Sequence, residues 1–122
     1  MVVFNLLSKN ENDIQYEYYP EGKFDNAPGL IIIDVIKNEV KEIKPSLQDF
    51  VVTHTVSELN DMRESVNKIR VLEGEPELTE EEWPVAKEDL QYYQYAQHAI
   101  SKINEILEKY GVFPDNGTAL WY

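Results

Sequence analysis

The chain of 122 residues contains no cysteine. It therefore has neither disulfide bonds nor thiolate chemistry, and it depends on a packed core for stability, as is compatible with a reducing cytoplasm. No apolar run approaches the ~20 residues of a membrane span, and the N-terminal MVVFNLL lacks the basic start of a secretory signal. These absences lead us to expect a cytoplasmic protein.

Basic side chains are scarce: 11 Lys and Arg stand against 23 Asp and Glu, which gives a formal net charge of −12. Nucleic acids and anionic membrane surfaces repel such a chain, so we expect neither as a partner. The charge is compatible with simple solubility. It also suits a basic protein partner, such as a nuclease or a nucleic-acid-binding protein.

Motifs of catalytic or nucleotide-binding chemistry are also lacking, since no GxGxxG, GxxxxGK[ST] or GxSxG pattern occurs. The two histidines, His54 and His98, are weak candidates for acid–base or metal chemistry. Glu58 follows His54 by four residues and would complete a two-His, one-carboxylate site if the helix includes His54. Histidines in such positions are more often boundary residues with one hydrogen-bonded nitrogen. We expect no cofactor.

Before Pro45, apolar and polar residues alternate with the period of a β-strand. This pattern predicts strands over residues 2–7, 14–19, 30–36 and 40–44. Ile14, Tyr16 and Tyr18 fall on one face of the second strand. Lys37 and Asn38 fit a two-residue hairpin turn, because Asn tolerates positive φ.

After Pro45 the period becomes helical, although residues 46–55 fit either helix or extended chain. Thr55 or Ser57 is suited to cap a helix that runs to about Leu72. The predicted apolar stripe of this helix, with 3, 4, 3 spacing, consists of Leu59, Met62, Val66 and Ile69.

A second helix is predicted to begin near Thr79, where Glu82 occupies the capping-box position, and to run to Tyr110. Pro84 fits its first turn, and Gly111 suits the position after a helix end. The segment DLQYYQYAQHAI then places its tyrosines on a buried helix face, with their hydroxyls at the edge. The apolar positions expected to be largely buried on the two helices are Leu59, Met62, Val66, Ile69, Leu90, Ile100, Ile103 and Leu107.

Strands followed by helices indicate an α+β domain. We expect an antiparallel four-stranded meander followed by a two-helix hairpin packed on one face. The whole chain, 1–122, is predicted to be a single domain, with a strand-rich half over 1–45 and a helical half with an aromatic C-terminal tail over 46–122.

The surface-suited aromatic residues favour a non-enzymatic protein-interaction or accessory module. The residues predicted to contact a partner are Tyr18, Tyr19, Phe24, Trp121 and Tyr122. The alternative function is a metal-dependent or acid–base enzyme that uses His54 and His98 with Glu58.

Self-association is also predicted, since residues 30–36 are apolar on both faces whereas a helical hairpin covers only one face of a sheet. A homodimer would cover the second face. The tail ALWY is the competing cover, and it docks either on its own domain or on another chain.

Overall fold

A computed structural model describes residues 1–121 and shows an α+β architecture. The elements within this range are β1 Val2–Lys9, β2 Asp13–Pro20, β3 Gly29–Asp34, β4 Glu39–Lys44, β5 Val51–His54, α1 Val56–Leu72, β6 Leu90–Tyr93, α2 Gln94–Tyr110 and β7 Asn116–Ala119. Among these residues, no helix combines the length and the apolar character needed to cross a bilayer.

Contacts divide the described chain into two compact units. The first unit comprises residues 1–51 and 92–121, and the second unit comprises residues 52–91. The predicted single domain over residues 1–122 stays a prediction.

The first unit is built on a five-stranded antiparallel sheet with the strand order β4-β3-β2-β1-β7. The first four strands follow one another along the chain as expected. β7 then pairs on the outer side of β1, with Val2 opposite Ala119, so the sheet has five strands where the sequence predicted four. A separate two-stranded sheet joins β5 and β6, which makes residues 51–54 extended.

The predicted alternation of the strands is confirmed in the sheet. Ile14, Tyr16 and Tyr18 on β2 are all fully buried, whereas the residues between them are only partly covered. The turn between β3 and β4 spans residues 35–38, four residues where two were predicted. It contains Asn38 at a φ of 53°, a backbone conformation that Asn adopts more readily than most residues. The Asp34 carboxylate stabilises the same turn by accepting hydrogen bonds from the N–H groups of Ile36 and Lys37, at 3.0 Å each.

One helix, α2, packs on this buried sheet face. Its buried residues are Ala96, Ala99, Ile100 and Ile103. They join a cluster that includes Val2, Phe4, Ile14, Tyr16, Tyr18, Ile31, Ile33 and Ala119. The ring of Phe4 meets Tyr16 edge to face, with centroids 5.8 Å apart, and the Tyr16 hydroxyl donates to the carbonyl of Pro114 at 2.6 Å.

The N-terminus of α2 is capped by a residue from a distant loop. Its own N-cap residue, Tyr93, makes no side-chain cap bond. Instead, the Asp49 carboxylate accepts hydrogen bonds from the N–H groups of Tyr95 at 2.9 Å and Ala96 at 3.1 Å. A carboxylate at this position also interacts favourably with the positive end of the helix dipole.

The hydroxyl of Tyr18 ties this cap to the middle of the sheet. It donates to Asp49 at 2.7 Å and accepts from the N–H of Ser46 at 3.0 Å. Burial raises the pKa of the Tyr18 hydroxyl well above its ordinary value, so the group stays protonated and remains a donor.

The predicted start of the second helix is wrong. The capping box at Thr79 does form: the N–H of Thr79 donates to the Glu82 carboxylate at 3.1 Å, and the N–H of Glu82 donates to the Thr79 hydroxyl at 3.2 Å. The N–H of Thr79 thereby lowers the pKa of Glu82. The turn ends at Trp83, because a residue before proline is disfavoured in helical conformation. Helix α2 begins only at Gln94.

The bounds of α1 agree with the sequence. The Thr55 hydroxyl accepts a hydrogen bond from the N–H of Glu58 at 3.2 Å, and the helix ends at Leu72, before Gly74, whose φ is 81°. The predicted helical hairpin is not confirmed. Helix α2 lies on the sheet of the first unit, while α1 belongs to the second unit.

Replacing Ile103 with alanine tests the core. The side chain is fully buried, so Ile103→Ala is expected to lower the free energy of unfolding by about 2–5 kcal/mol in urea denaturation. The matched change Ile36→Ala removes a side chain that is 76% exposed and should change stability by less than about 0.5 kcal/mol. Equal effects of the two variants would contradict the assigned core.

Removing the Tyr18 hydroxyl tests the link between sheet and helix. Tyr18→Phe leaves the ring in place but deprives Asp49 of a donor and the N–H of Ser46 of an acceptor. We expect a loss of about 1–3 kcal/mol in urea denaturation. Tyr110→Phe, at a side chain that is largely exposed, is the control and should be nearly neutral. A neutral Tyr18→Phe would show that this network contributes nothing to stability.

Candidate interaction surface

Tyr18 was predicted to contact a partner, and the structure corrects this expectation. Its side chain is fully buried, and its hydroxyl bonds within the first unit to Asp49 and Ser46. Alternation along β2 places Tyr18 on the same face as Ile14 and Tyr16, which α2 covers. It therefore does not belong to an exposed surface.

Tyr19 lies on the opposite face of the sheet, and Phe24 lies in the loop that follows β2. Their rings contact each other with centroids 4.9 Å apart, and Phe24 is 63% exposed. Burial, followed by the nearby Glu17 carboxylate, raises the pKa of Tyr19. Leu30 and Ile32 are half-buried on the same face. The homodimer expected through this face stays a prediction.

Trp121 packs on α2 of its own chain. Its ring stacks on His98 with centroids 3.9 Å apart and an interplanar angle of 4°, and it meets Tyr95 edge to face at 5.6 Å. The tail therefore docks on its own chain as far as Trp121, which is one of the two arrangements expected. Tyr122, another predicted contact residue, lies outside the described residues.

The histidine candidates lie in different surroundings. His54 Nδ1 is 3.5 Å from Glu58 Oε2, one helical turn away. His98 stacks on Trp121, and its Nε2 is 3.3 Å from Gln94 Nε2. Burial, together with the positive Met1 amino group, lowers the pKa of His98. Within residues 1–121, no group of three or more His, Cys, Asp and Glu side chains is arranged to hold a metal. The alternative function that uses His54, Glu58 and His98 stays a prediction.

Helix α1 has a stripe of polar residues that binds the main chain of the connector, residues 73–89. Asn60 both donates to the carbonyl of Ala86 at 3.3 Å and accepts from its N–H at 2.8 Å. Asn67 accepts from the N–H of Leu78 at 2.9 Å, and Asn67 is the buried residue of this helix.

Two arginines continue this polar stripe. Arg63 Nε donates to the carbonyl of Trp83 at 2.8 Å, and Arg70 Nε donates to the carbonyl of Pro76 at 2.9 Å. Arg70 also pairs with Glu75 at 3.2 Å. The polar stripe, Asn60, Arg63, Asn67 and Arg70, thus turns toward the connector and satisfies its backbone groups.

The apolar stripe of α1 is turned largely to solvent. We define it as Leu59, Met62, Val66, Ile69 and Leu72. Met62 is 51% exposed, Ile69 54% and Leu72 85%, while Leu59 and Val66 are half-buried. The expected burial is therefore wrong for Met62 and Ile69 and only partly met at Leu59 and Val66. Its first four residues each precede one residue of the polar stripe, so the two stripes are about 100° apart around the helix, and the polar one occupies the buried side.

Leu90 and Leu107 also depart from the expected core. Leu90 is 48% exposed on strand β6 and Leu107 is half-buried on α2. Both were assigned to one continuous helix, and the late start of α2 removes Leu90 from that face. Ile100 and Ile103 are buried as expected.

The second unit is strongly acidic. Residues 52–91 contain 11 Asp and Glu against 4 Lys and Arg, and 4 minus 11 gives a net charge of −7. Eight of these acids follow α1 in the connector: Glu73, Glu75, Glu77, Glu80, Glu81, Glu82, Glu88 and Asp89. The apolar stripe therefore lies within the acidic unit.

The residues of the polar stripe were missed by the sequence analysis. Their 3, 4, 3 spacing matches that of the apolar residues, so periodicity alone offers two candidate buried faces. The available signal is that Asn and Arg recur on one side of a helix that precedes a proline-containing connector, whose main-chain groups need partners.

Comparison with protein-family models, with curated proteins and with solved structures finds no match to this chain. The exposed apolar stripe with its acidic surroundings is therefore the feature on which a functional inference rests.

Because the polar stripe of α1 is more buried than its apolar stripe, a residue of the polar stripe is expected to contribute more to the free energy of unfolding than a residue of the apolar stripe. Asn67→Ala removes the acceptor for the N–H of Leu78 and should cost about 1–2 kcal/mol in urea denaturation. Ile69→Ala, at a side chain that is 54% exposed, should stay within about 0.5 kcal/mol of the parent. The reverse order would show that the apolar stripe is the packed face.

Proposed function

We propose that the protein is a non-enzymatic interaction module that binds another polypeptide through the apolar stripe of α1. The observation that supports this proposal is the exposure of Met62, Ile69 and Leu72 on one side of a regular helix. Exposed apolar groups that are contiguous on a surface often mark a binding site. An amphipathic helix is a common element of protein recognition.

The way in which α1 is held supports the proposal. Asn60, Arg63 and Asn67 attach the helix to its own connector by hydrogen bonds to the main chain. The helix therefore does not need its apolar side for that attachment. A partner that covers this side would remove apolar area from water without breaking those bonds.

The charge of the chain narrows the class of partner. A net charge of −12 opposes binding to phosphate backbones and to anionic lipid surfaces. A protein partner is compatible with this charge, and we place the interaction in the cytoplasm.

Site-specific photo-crosslinking tests the proposal in cells that naturally make the protein. Benzoylphenylalanine in place of Ile69 should yield discrete crosslinked adducts after irradiation. The matched control carries the same group in place of Val71, because both side chains are 54% exposed. The two positions lie about 200° apart around the helix, so the control should yield few or no adducts.

Adducts of the same size and abundance from both positions would contradict a binding surface on the stripe. Absence of adducts at position 69, in a variant whose circular dichroism matches the parent, would contradict it as well.

A further inference from the structure

We infer that the occupant of the apolar stripe is a basic amphipathic helix of a partner protein. This inference rests on the proposed function, since it names the chemistry of the partner that binds the same surface. Three observations support a basic helical partner: the spacing of the apolar positions, the acidic residues beside them, and the engagement of two nearby arginines in other contacts.

The spacing of the stripe suits a helical occupant. Leu59, Met62, Val66 and Ile69 repeat at 3, 4 and 3 residues, as do the core positions of two packed helices. From Leu59 to Leu72 the stripe is about 20 Å long at 1.5 Å per residue. A partner helix of about four turns, with its own apolar stripe, would cover this length.

Acidic side chains accompany the stripe at both ends. Glu58 and Glu73 lie within about 40° of Ile69 around the helix axis, and Asp61 follows at about 80° on the side away from the connector. Glu58 Oε2 lies 3.5 Å from His54 Nδ1, and the Glu58 side chain is 57% exposed. These carboxylates are placed to meet basic side chains that flank the apolar stripe of a partner helix.

Two of the three basic residues of α1 are engaged elsewhere, while the third, Lys68, is exposed on the side of the helix that carries Asp61. Arg63 binds the carbonyl of Trp83, and Arg70 binds both the carbonyl of Pro76 and the Glu75 carboxylate. The exposed acids along the stripe are thus not neutralised by these arginines. A partner with lysines or arginines would supply the missing positive charge.

Charge also decides against a second copy as the occupant. Pairing two α1 helices would bring together two units that each carry a net charge of −7. Like charges placed side by side oppose association, whereas a basic partner gains from the same field.

A designed peptide provides the test. The probe is a fluorescein-labelled 18-residue helix with leucine at the stripe positions and lysine elsewhere, and binding is measured by fluorescence anisotropy at 50 mM NaCl. One control peptide has glutamate in place of every lysine, and the other has the leucines and lysines scrambled. We expect saturable binding of the first peptide, much weaker binding of both controls, and weakening in 500 mM NaCl.

Two matched variants locate the binding surface. Ile69→Ser should weaken binding about tenfold, as expected when about half of an isoleucine side chain no longer contributes apolar contact. Val71→Ser, at an equally exposed position, should change the Kd less than twofold. Circular dichroism of both variants verifies that the helix is intact.

Three results would overturn the inference. The glutamate peptide could bind as tightly as the lysine peptide, or both variants could bind the lysine peptide like the parent. The third result is a dimer of the parent in sedimentation equilibrium that Ile69→Ser dissociates, which would make a second copy the occupant. That dimer would leave the proposed function standing, whereas failure of the crosslinking experiment at position 69 would overturn the proposed function itself.

Discussion

The hydrogen bonds of the Asp49 carboxylate hold the first unit together at the point where helix meets sheet. The N-cap residue of α2, Tyr93, makes no side-chain cap bond. Asp49 instead accepts hydrogen bonds from the N–H groups of Tyr95 and Ala96 and from the hydroxyl of Tyr18 in the sheet. One carboxylate thereby sets where α2 begins and which strand it begins beside. The packing of Ala96 and Ala99 against the sheet follows from that placement.

Local patterns were sufficient to predict much of this structure. Alternation identified β1 to β3, because one face of each strand is covered more than the other, whereas β4 is exposed except at Ile43. The positive φ of Asn38 and the Thr55 cap depend on residues close in sequence, so the sequence predicted both, although the turn that contains Asn38 has four residues and not two. The α+β class followed from the order of these elements.

Other features depend on contacts that no local pattern contains. The capping box at Thr79 forms as predicted, but Pro84 ends the turn. Helix α2 begins only at Gln94, where Asp49, which is distant in sequence, caps its N-terminus. On α1 two stripes share one period, and the choice between them is made by the backbone of the connector, which binds Asn60 and Asn67. Hydrophobicity therefore predicted that the apolar stripe is buried, whereas in the structure the polar stripe is the more buried of the two. The aromatic residues predicted to contact a partner also differ in exposure, since Tyr18 is buried and Phe24 is exposed.

The pairing of β1 with β7 makes folding of the first unit depend on a non-local contact. Val2 lies opposite Ala119, so the sheet closes only when segments from near both ends of the chain meet. Such closure costs entropy that local hairpins do not, and it slows folding. Until β7 arrives, β1 is an edge strand bearing Val2 and Phe4, and an unpaired edge is a template for aggregation. By pairing with β1, the short β7 satisfies the backbone groups of this edge, so they are no longer available to pair with another chain.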